Sequence, residues 1–306
     1  MLHRVPAACA AVALIATPLW LFATNPAVAR SHPLLPALLI AALVAGLGVA
    51  ALTLRAARKP PPARRRPVRA GLGALAAIGL MAALAWLEPF AVTGGPDAAV
   101  DRSPAASSPA GVELVEDATS ITLTPSEGAS RGLVFYPGAR VEALAYVPLL
   151  ARVAQEGTTV VVLKEPLGIA LLQTGQARSA LDAHPEITAW TVGGHSLGGV
   201  SASVVAAGSD DVDGLLLWAS YPLDDLSGSG LDVLSVSGSQ DGLTTPADID
   251  ASRRLLPADA RFVEISGGVH AFFGDYGDQP GDGVATTDRR TAQDEIVAVT
   301  NGFLGD

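Results

Sequence analysis

Cysteine is nearly absent from this chain of 306 residues: Cys9 is the only one. A single thiol excludes a disulfide within the chain and any cysteine-based metal site, so folding must rest on the apolar core alone. Acid is missing from one whole region. Residues 1–87 contain no Asp or Glu and nine Arg or Lys, which makes that part +9. The remaining 11 bases stand against all 30 acids, leaving residues 88–306 at −19 and the chain at −10. The pI of about 4.9 therefore averages two unlike objects.

Charge of either sign is missing from three runs in the first part. Val5–Ala29, Pro33–Leu54 and Ala70–Leu87 lack Asp, Glu, Lys and Arg for 25, 22 and 18 residues. Each is long enough, or nearly so, to cross roughly 30 Å of hydrocarbon at ~1.5 Å per residue. A buried helix of a soluble protein is the ordinary alternative, but three such runs in succession without an acid favour membrane spans. Between the second and third runs lies RAARKPPPARRRPVR, residues 55–69, with seven Arg or Lys. Nucleic-acid or anionic-lipid binding could use such a loop. Flanked by two spans, it reads first as a topology signal that stays cytoplasmic, which sends the acidic C-terminal part outside. Arg4, the first run and Ala27-Val28-Ala29 also resemble a signal peptide with its cleavage site. The apolar stretch exceeds the usual signal-peptide core, so a retained anchor is preferred; both readings give the same orientation.

Large apolar groups are missing from GGPDAAVDRSPAASSPAG, residues 94–111, which read as a flexible tether. The expected organisation is a membrane region over 1–93, the tether, and a second folded domain over 112–306. No internal repeat is visible. Strands are expected at Val112–Glu116, Ser120–Thr124, Gly132–Tyr136, Thr158–Leu163, Thr188–Gly193, Gly214–Ala219, Asp232–Ser237 and Arg261–Ile265. Helices are expected at about 142–156, 168–183, 197–208, 246–255 and 288–304. LVFY, VVVL and LLLW hardly alternate, as suits strands buried on both faces. Two alternating strands followed by β-α repeats predict an α/β sheet, mostly parallel and flanked by helices, with an antiparallel start.

Lysine is missing from GGHSLGG, residues 193–199, and that excludes a phosphate-binding P-loop. No register supplies the dinucleotide pattern Gly-x-Gly-x-x-Gly either. What remains is Gly194-His195-Ser196-Leu197-Gly198, the Gly-x-Ser-x-Gly of a nucleophile elbow, placed between an apolar strand and a small-residue helix. A turn this sharp brings the residues two positions either side of Ser196 so close that side chains would clash, so both, Gly194 and Gly198, are glycine.

A serine hydroxyl needs a base. Of five histidines, His3 and His32 belong to the membrane part, and His184 precedes Pro185 in a solvated turn. His195 adjoins the serine, but the turn directs it away into packing or polar support. His270, in SGGVHAFFGDYG after the last strand, is the expected general base. Asp241, in VLSVSGSQDGLTTP, is the expected acid that orients it, with Asp224 and Asp225 as rivals one strand earlier. The order Ser196, Asp241, His270 is that of the α/β-hydrolase triad. An oxyanion hole would combine the backbone N–H of Leu197 with that of Gly138 or Ala139, in FYPGARVEA. One such donor is worth on the order of 3 kcal/mol in the transition state.

Over about residues 112–306 the chain resembles the α/β-hydrolase superfamily, and more narrowly the bacterial α/β-hydrolase fold-5 group. FYPGARVEALAYVPL (135–149), GGHSLGG (193–199) and GGVHAFFGDYGDQPGDG (267–283) carry the likeness. The resemblance implies an α/β-hydrolase fold and an esterase-type hydrolase using Ser196, Asp241 and His270, with no metal or organic cofactor. Ala139 departs from the group, which has a second glycine there. Asp275, Asp278 and Asp282 could ligate calcium, but their spacing is not that of an EF-hand loop, and a glycine-shaped structural loop beside His270 is preferred. The dozen residues after the strand ending near Ala219 leave no room for a large lid, which suits small or accessible esters. The expected activity is therefore hydrolysis of a small-molecule ester by an enzyme anchored in the lipid bilayer, with no nucleic-acid partner. The rival is a non-catalytic hydrolase-fold domain that binds an envelope ligand or partner.

Overall fold

The computed structural model describes residues 5–58, 67–93 and 111–305. The centre of the basic loop and nearly all of the expected tether lie outside the described residues. The chain divides into two compact units, Met1–Pro89 and Phe90–Asp306.

The first unit holds helices α1 (Val5–Thr24), α2 (Leu34–Ala57) and α3 (Pro67–Trp86). Helix α1 packs on both of the others. Its approach to α2 is close at Gly46, where a Cβ would meet Ile15 and Leu14 at 2.8 Å. By length and composition α1 and α2 can cross a membrane; α3 offers a shorter apolar stretch, Leu75–Trp86. Their outer surfaces carry Trp20, Val44, Leu47, Leu52 and Leu75, all exposed.

In the second unit the strands are β1 (Val112–Glu116), β2 (Ser120–Pro125), β3 (Arg131–Tyr136), β4 (Thr158–Leu163), β5 (Ala189–His195), β6 (Gly214–Trp218), β7 (Asp232–Gly238) and β8 (Arg261–Ile265). They form one sheet in the order β1-β2-β4-β3-β5-β6-β7-β8. Pairs β1–β2 and β2–β4 are antiparallel and all others parallel, so β3 to β8 end along a single edge.

The weakly alternating runs are buried on both faces. Leu133, Phe135, Leu216 and Trp218 enter one core, with α4 (Val147–Ala154) and α8 (Arg289–Gly305) over it. Val134, Tyr136, Leu215 and Leu217 enter the other, with α5 (Gln176–Ala183) and α6 (Leu197–Ala207). Helix α7 (Pro246–Ser252) opens on a capping box, Thr245 with Asp248. Each fully buried Leu contributes roughly 1.5–3 kcal/mol, and this core has no covalent help.

The 168–183 region departs from expectation: only Gln176–Ala183 is a regular helix. Leu167 and Gly168 adopt φ of 57° and 68°, and Gly168 O accepts a bond from Arg140 N at 2.7 Å. This tie to the loop after β3 outweighs local helical preference. The connection between β6 and β7 contains no helix, so no lid is built there.

The second unit reaches back to Phe90. Phe90 N donates to Arg140 O, Glu142 N donates to Phe90 O, and Thr93 N donates to Asp275 O, at 2.7, 3.0 and 2.9 Å. Residues 90–93 thus form a short strap knitted to the loops after β3 and β8.

Candidate active site

Backbone strain marks the edge where the parallel strands end. Among the described residues four non-glycines have positive φ: Arg140, Leu167, Ser196 and Ala219. They follow β3, β4, β5 and β6 respectively. Each left-handed residue costs on the order of 1–3 kcal/mol, and such strain gathers where function demands a geometry.

Ser196 sits between β5 and α6 at φ 53°, ψ −124°. Ser196 N donates to Trp218 O at 3.0 Å, and Ser220 Oγ donates to Ser196 O at 2.7 Å. The two flanking glycines are required sterically. A Cβ on Gly194 would lie 2.4 Å from Gly198 C, and one on Gly198 would lie 2.1 Å from Tyr136 O.

Asp241 follows β7 and His270 follows β8; both side chains are buried. His270 Nδ1–H donates to Asp241 Oδ2 at 2.8 Å. Asp241 Oδ1 accepts from Leu243 N at 2.8 Å and Thr244 N at 2.7 Å, which locks the carboxylate in place. His270 Nε2 is buried and has no hydrogen-bond partner. With the proton on Nδ1, Nε2 carries the lone pair that a general base needs. Asp224 and Asp225 are exposed, and Asp225 closes a turn onto Ser227 N at 2.9 Å. His184 pairs with Glu186 at 3.0 Å before the start of β5, away from this edge.

His195 turns into the core, as expected of the elbow. Its ring is stacked on Phe273 at 5.8 Å and lies 4.5 Å from that of His270. Tyr146 Oη and His195 Nδ1 are 2.8 Å apart. Burial, with His270 beside it, holds the His195 imidazole well below its ordinary range, so it packs as a neutral ring.

The same tyrosine engages one of the two amides expected as second oxyanion donor. Gly138 N donates to Tyr146 Oη at 2.9 Å, so that candidate amide is already committed. A Cβ on Gly138 would lie 2.7 Å from His195 Nδ1, which accounts for its glycine. The amides of Ala139 and Leu197 have no hydrogen-bond partner among the described residues. Leu197 is also the first residue of α6, where orphan N–H groups and the helix dipole favour an anion.

Glu165, just after β4, was not singled out by its sequence. It is buried, and neither carboxyl oxygen has a partner. Burial pushes its carboxyl well above the ordinary range. The unfolded chain releases this proton near pH 4.5 while the folded chain keeps it. Its contribution to stability is therefore fully present below that pH and lost as pH rises, by at most ~1.4 kcal/mol per unit. Glu165→Gln, which cannot ionise, is expected to gain stability over the parent between pH 5 and pH 8. Thermal denaturation at both pH values checks this; parallel curves for the two proteins would contradict it.

From the start of α8, Arg289 Nη1 donates to the carbonyls of Ala271 and Gly274 in the loop after His270, at 2.5 and 2.6 Å. Asp275 is half-buried, Asp278 is exposed, and Asp282 accepts bonds from backbone amides. No group of three or more His, Cys, Asp or Glu gathers to hold a metal ion among the described residues.

A mostly parallel sheet flanked by helices, with a strained serine and a buried Asp–His pair in loops along the edge where its strands end, is the α/β-hydrolase fold. The chain belongs to the alpha/beta hydrolase family, whose model matches residues 132–294. No curated protein matches the chain in sequence. Among solved structures, the apo form of Thermogutta terrifontis esterase 2 is similar at 14% identity and a TM-score of 0.48, over 64% of this chain and 94% of its own. The esterase domain of a Rhodothermus marinus protein is similar at 13% identity and a TM-score of 0.46, over 63% and 99%. TT1662 from Thermus thermophilus is similar at 15% identity and a TM-score of 0.47, over 64% and 99%.

Proposed function

We propose that this protein is a serine hydrolase of carboxylic esters, anchored in a membrane, with its catalytic unit outside the cytoplasm. The observation that carries the reading is the buried Asp241–His270 pair, whose free Nε2 belongs to the same sheet edge as the strained Ser196. In this mechanism His270 Nε2 takes the Ser196 proton as Oγ attacks the ester carbonyl carbon. The tetrahedral oxyanion accepts hydrogen bonds from Leu197 N and Ala139 N. Its collapse expels the alcohol, which takes the proton back from His270, and leaves an acyl-serine. Water, deprotonated by the same imidazole, then releases the acid and restores Ser196.

Two apolar helices of sufficient length support the anchor, and the basic loop over 55–69 supports the orientation. The test of chemistry is hydrolysis of p-nitrophenyl esters by full-length protein in detergent, with and without a fluorophosphonate. Inhibition that follows covalent labelling is expected; a folded protein that neither labels nor hydrolyses would instead be a binding domain. For orientation, a reporter fused after residue 306 is expected to be active only outside the cytoplasm. A cytoplasmic signal would overturn the topology.

A further inference from the structure

One carboxylate outside the proposed triad bonds to both loops that carry Asp241 and His270. Asp282 Oδ1 accepts from His270 N at 3.1 Å, Gly242 N at 3.3 Å and Gly283 N at 2.7 Å. Asp282 Oδ2 accepts from Ala271 N at 2.9 Å. Two of these donors flank the Asp241–His270 pair from the His270 side, and Gly242 directly follows Asp241. The loops are also in backbone contact. A Cβ on Gly283 would lie 1.7 Å from Gln240 O, and one on Gly242 would lie 2.7 Å from Gly281 O.

We infer that Asp282 is a positioning residue that clamps the His270 loop onto the Asp241 loop and so sets the Asp241–His270 geometry for proton transfer. The inference rests on the serine-hydrolase reading. The carboxylate suits the task, because it only accepts hydrogen bonds and has lone pairs for several donors. Bonds from backbone N–H groups to an ionised acceptor are also stronger than neutral ones. Arg289 holds the His270 loop through carbonyls. The Asp282 bonds add to Gln240 N–Gly268 O at 2.9 Å and Gly267 N–Ser239 Oγ at 2.8 Å in joining the two loops, and are the ones that reach His270 N and Gly242 N themselves. Asn at this position keeps an oxygen for one group of amides but turns a donor toward another. Ala removes every acceptor.

The test compares full-length wild type, Asp282→Asn, Asp282→Ala and the exposed control Asp278→Ala. Active sites are titrated with a fluorophosphonate, and p-nitrophenyl butyrate kinetics are expressed per titrated site. This removes any loss that is only a smaller folded fraction. A misplaced catalytic group costs on the order of 10²-fold, so kcat per site is expected to fall about 100-fold in Asp282→Ala and about tenfold in Asp282→Asn. KM should stay within about twofold in both, and Asp278→Ala should match wild type. Unchanged kcat per site in Asp282→Ala overturns the inference. Should that variant yield no titratable sites, unchanged kcat per site in Asp282→Asn overturns it equally. Wild type that takes no probe defeats the serine-hydrolase reading itself, a distinct outcome seen before any variant is compared, and the positioning role falls with it.

Discussion

Ser196→Ala is expected to lower kcat for ester hydrolysis by about 10⁴–10⁶, with the fold retained. The fold should survive because the elbow is tied through the backbone. Ser196 N and Ser196 O make its ties to Trp218 O and Ser220 Oγ, and alanine keeps both groups. The glycines whose absent Cβ atoms permit the turn are also untouched. What alanine removes is the attacking oxygen. His270 can then serve only as a base for water, and the free amides of Ala139 and Leu197 can stabilise only what that slower route produces. Hydrolysis of p-nitrophenyl butyrate, beside a thermal denaturation curve, checks both halves. A loss of less than about tenfold in folded protein would remove Ser196 from the mechanism.

Asp241→Asn is expected to cost about 10⁴ in kcat, through the tautomer of His270 and not through its position. Asp241 Oδ1 is fixed by the amides of Leu243 and Thr244, so asparagine should keep its oxygen there. Its NH₂ group then faces His270 Nδ1, where the parent presents an acceptor. A donor at that place favours Nδ1 as the lone-pair nitrogen and puts the proton on Nε2. An imidazole in that state cannot take the serine proton. The ring should remain buried in the same packing, so stability should change little beside activity. A variant with kcat within about 10² of the parent would show that Asp241 does not set the tautomer.

Much of the sheet was legible because its strands are buried on both faces. Thr158–Leu163, buried along its whole length, occupies the positions its composition predicts; Arg261–Ile265 does so as a partly exposed edge strand. The turn around Ser196 was legible for a steric reason, since few arrangements need two glycines around a serine between strand and helix. What escaped the sequence depends on contacts between distant loops. The bond from Arg140 N to Gly168 O replaces the start of a helix expected from residue 168. Tyr146 Oη takes the amide of Gly138 across eight positions of chain, which leaves Ala139 as the candidate for the proposed second oxyanion donor. Asp282 was visible as one acid among several in a glycine-rich loop. Its four amide donors come from two loops that only the folded sheet edge brings together. The buried Glu165 sits in VVVLKEPLG, where neighbouring residues do not disclose that both its oxygens lose water.

The most direct measurement of the central claim is covalent labelling of the full-length protein by a fluorophosphonate, followed by peptide mass spectrometry. The account predicts one phosphonyl group per chain, on Ser196, with loss of esterase activity in proportion to labelling. It predicts no label on Ser196→Ala and slow labelling of Asp241→Asn. A folded wild-type protein that stays unlabelled, or that carries the label on another serine while Ser196→Ala keeps full activity, would contradict it.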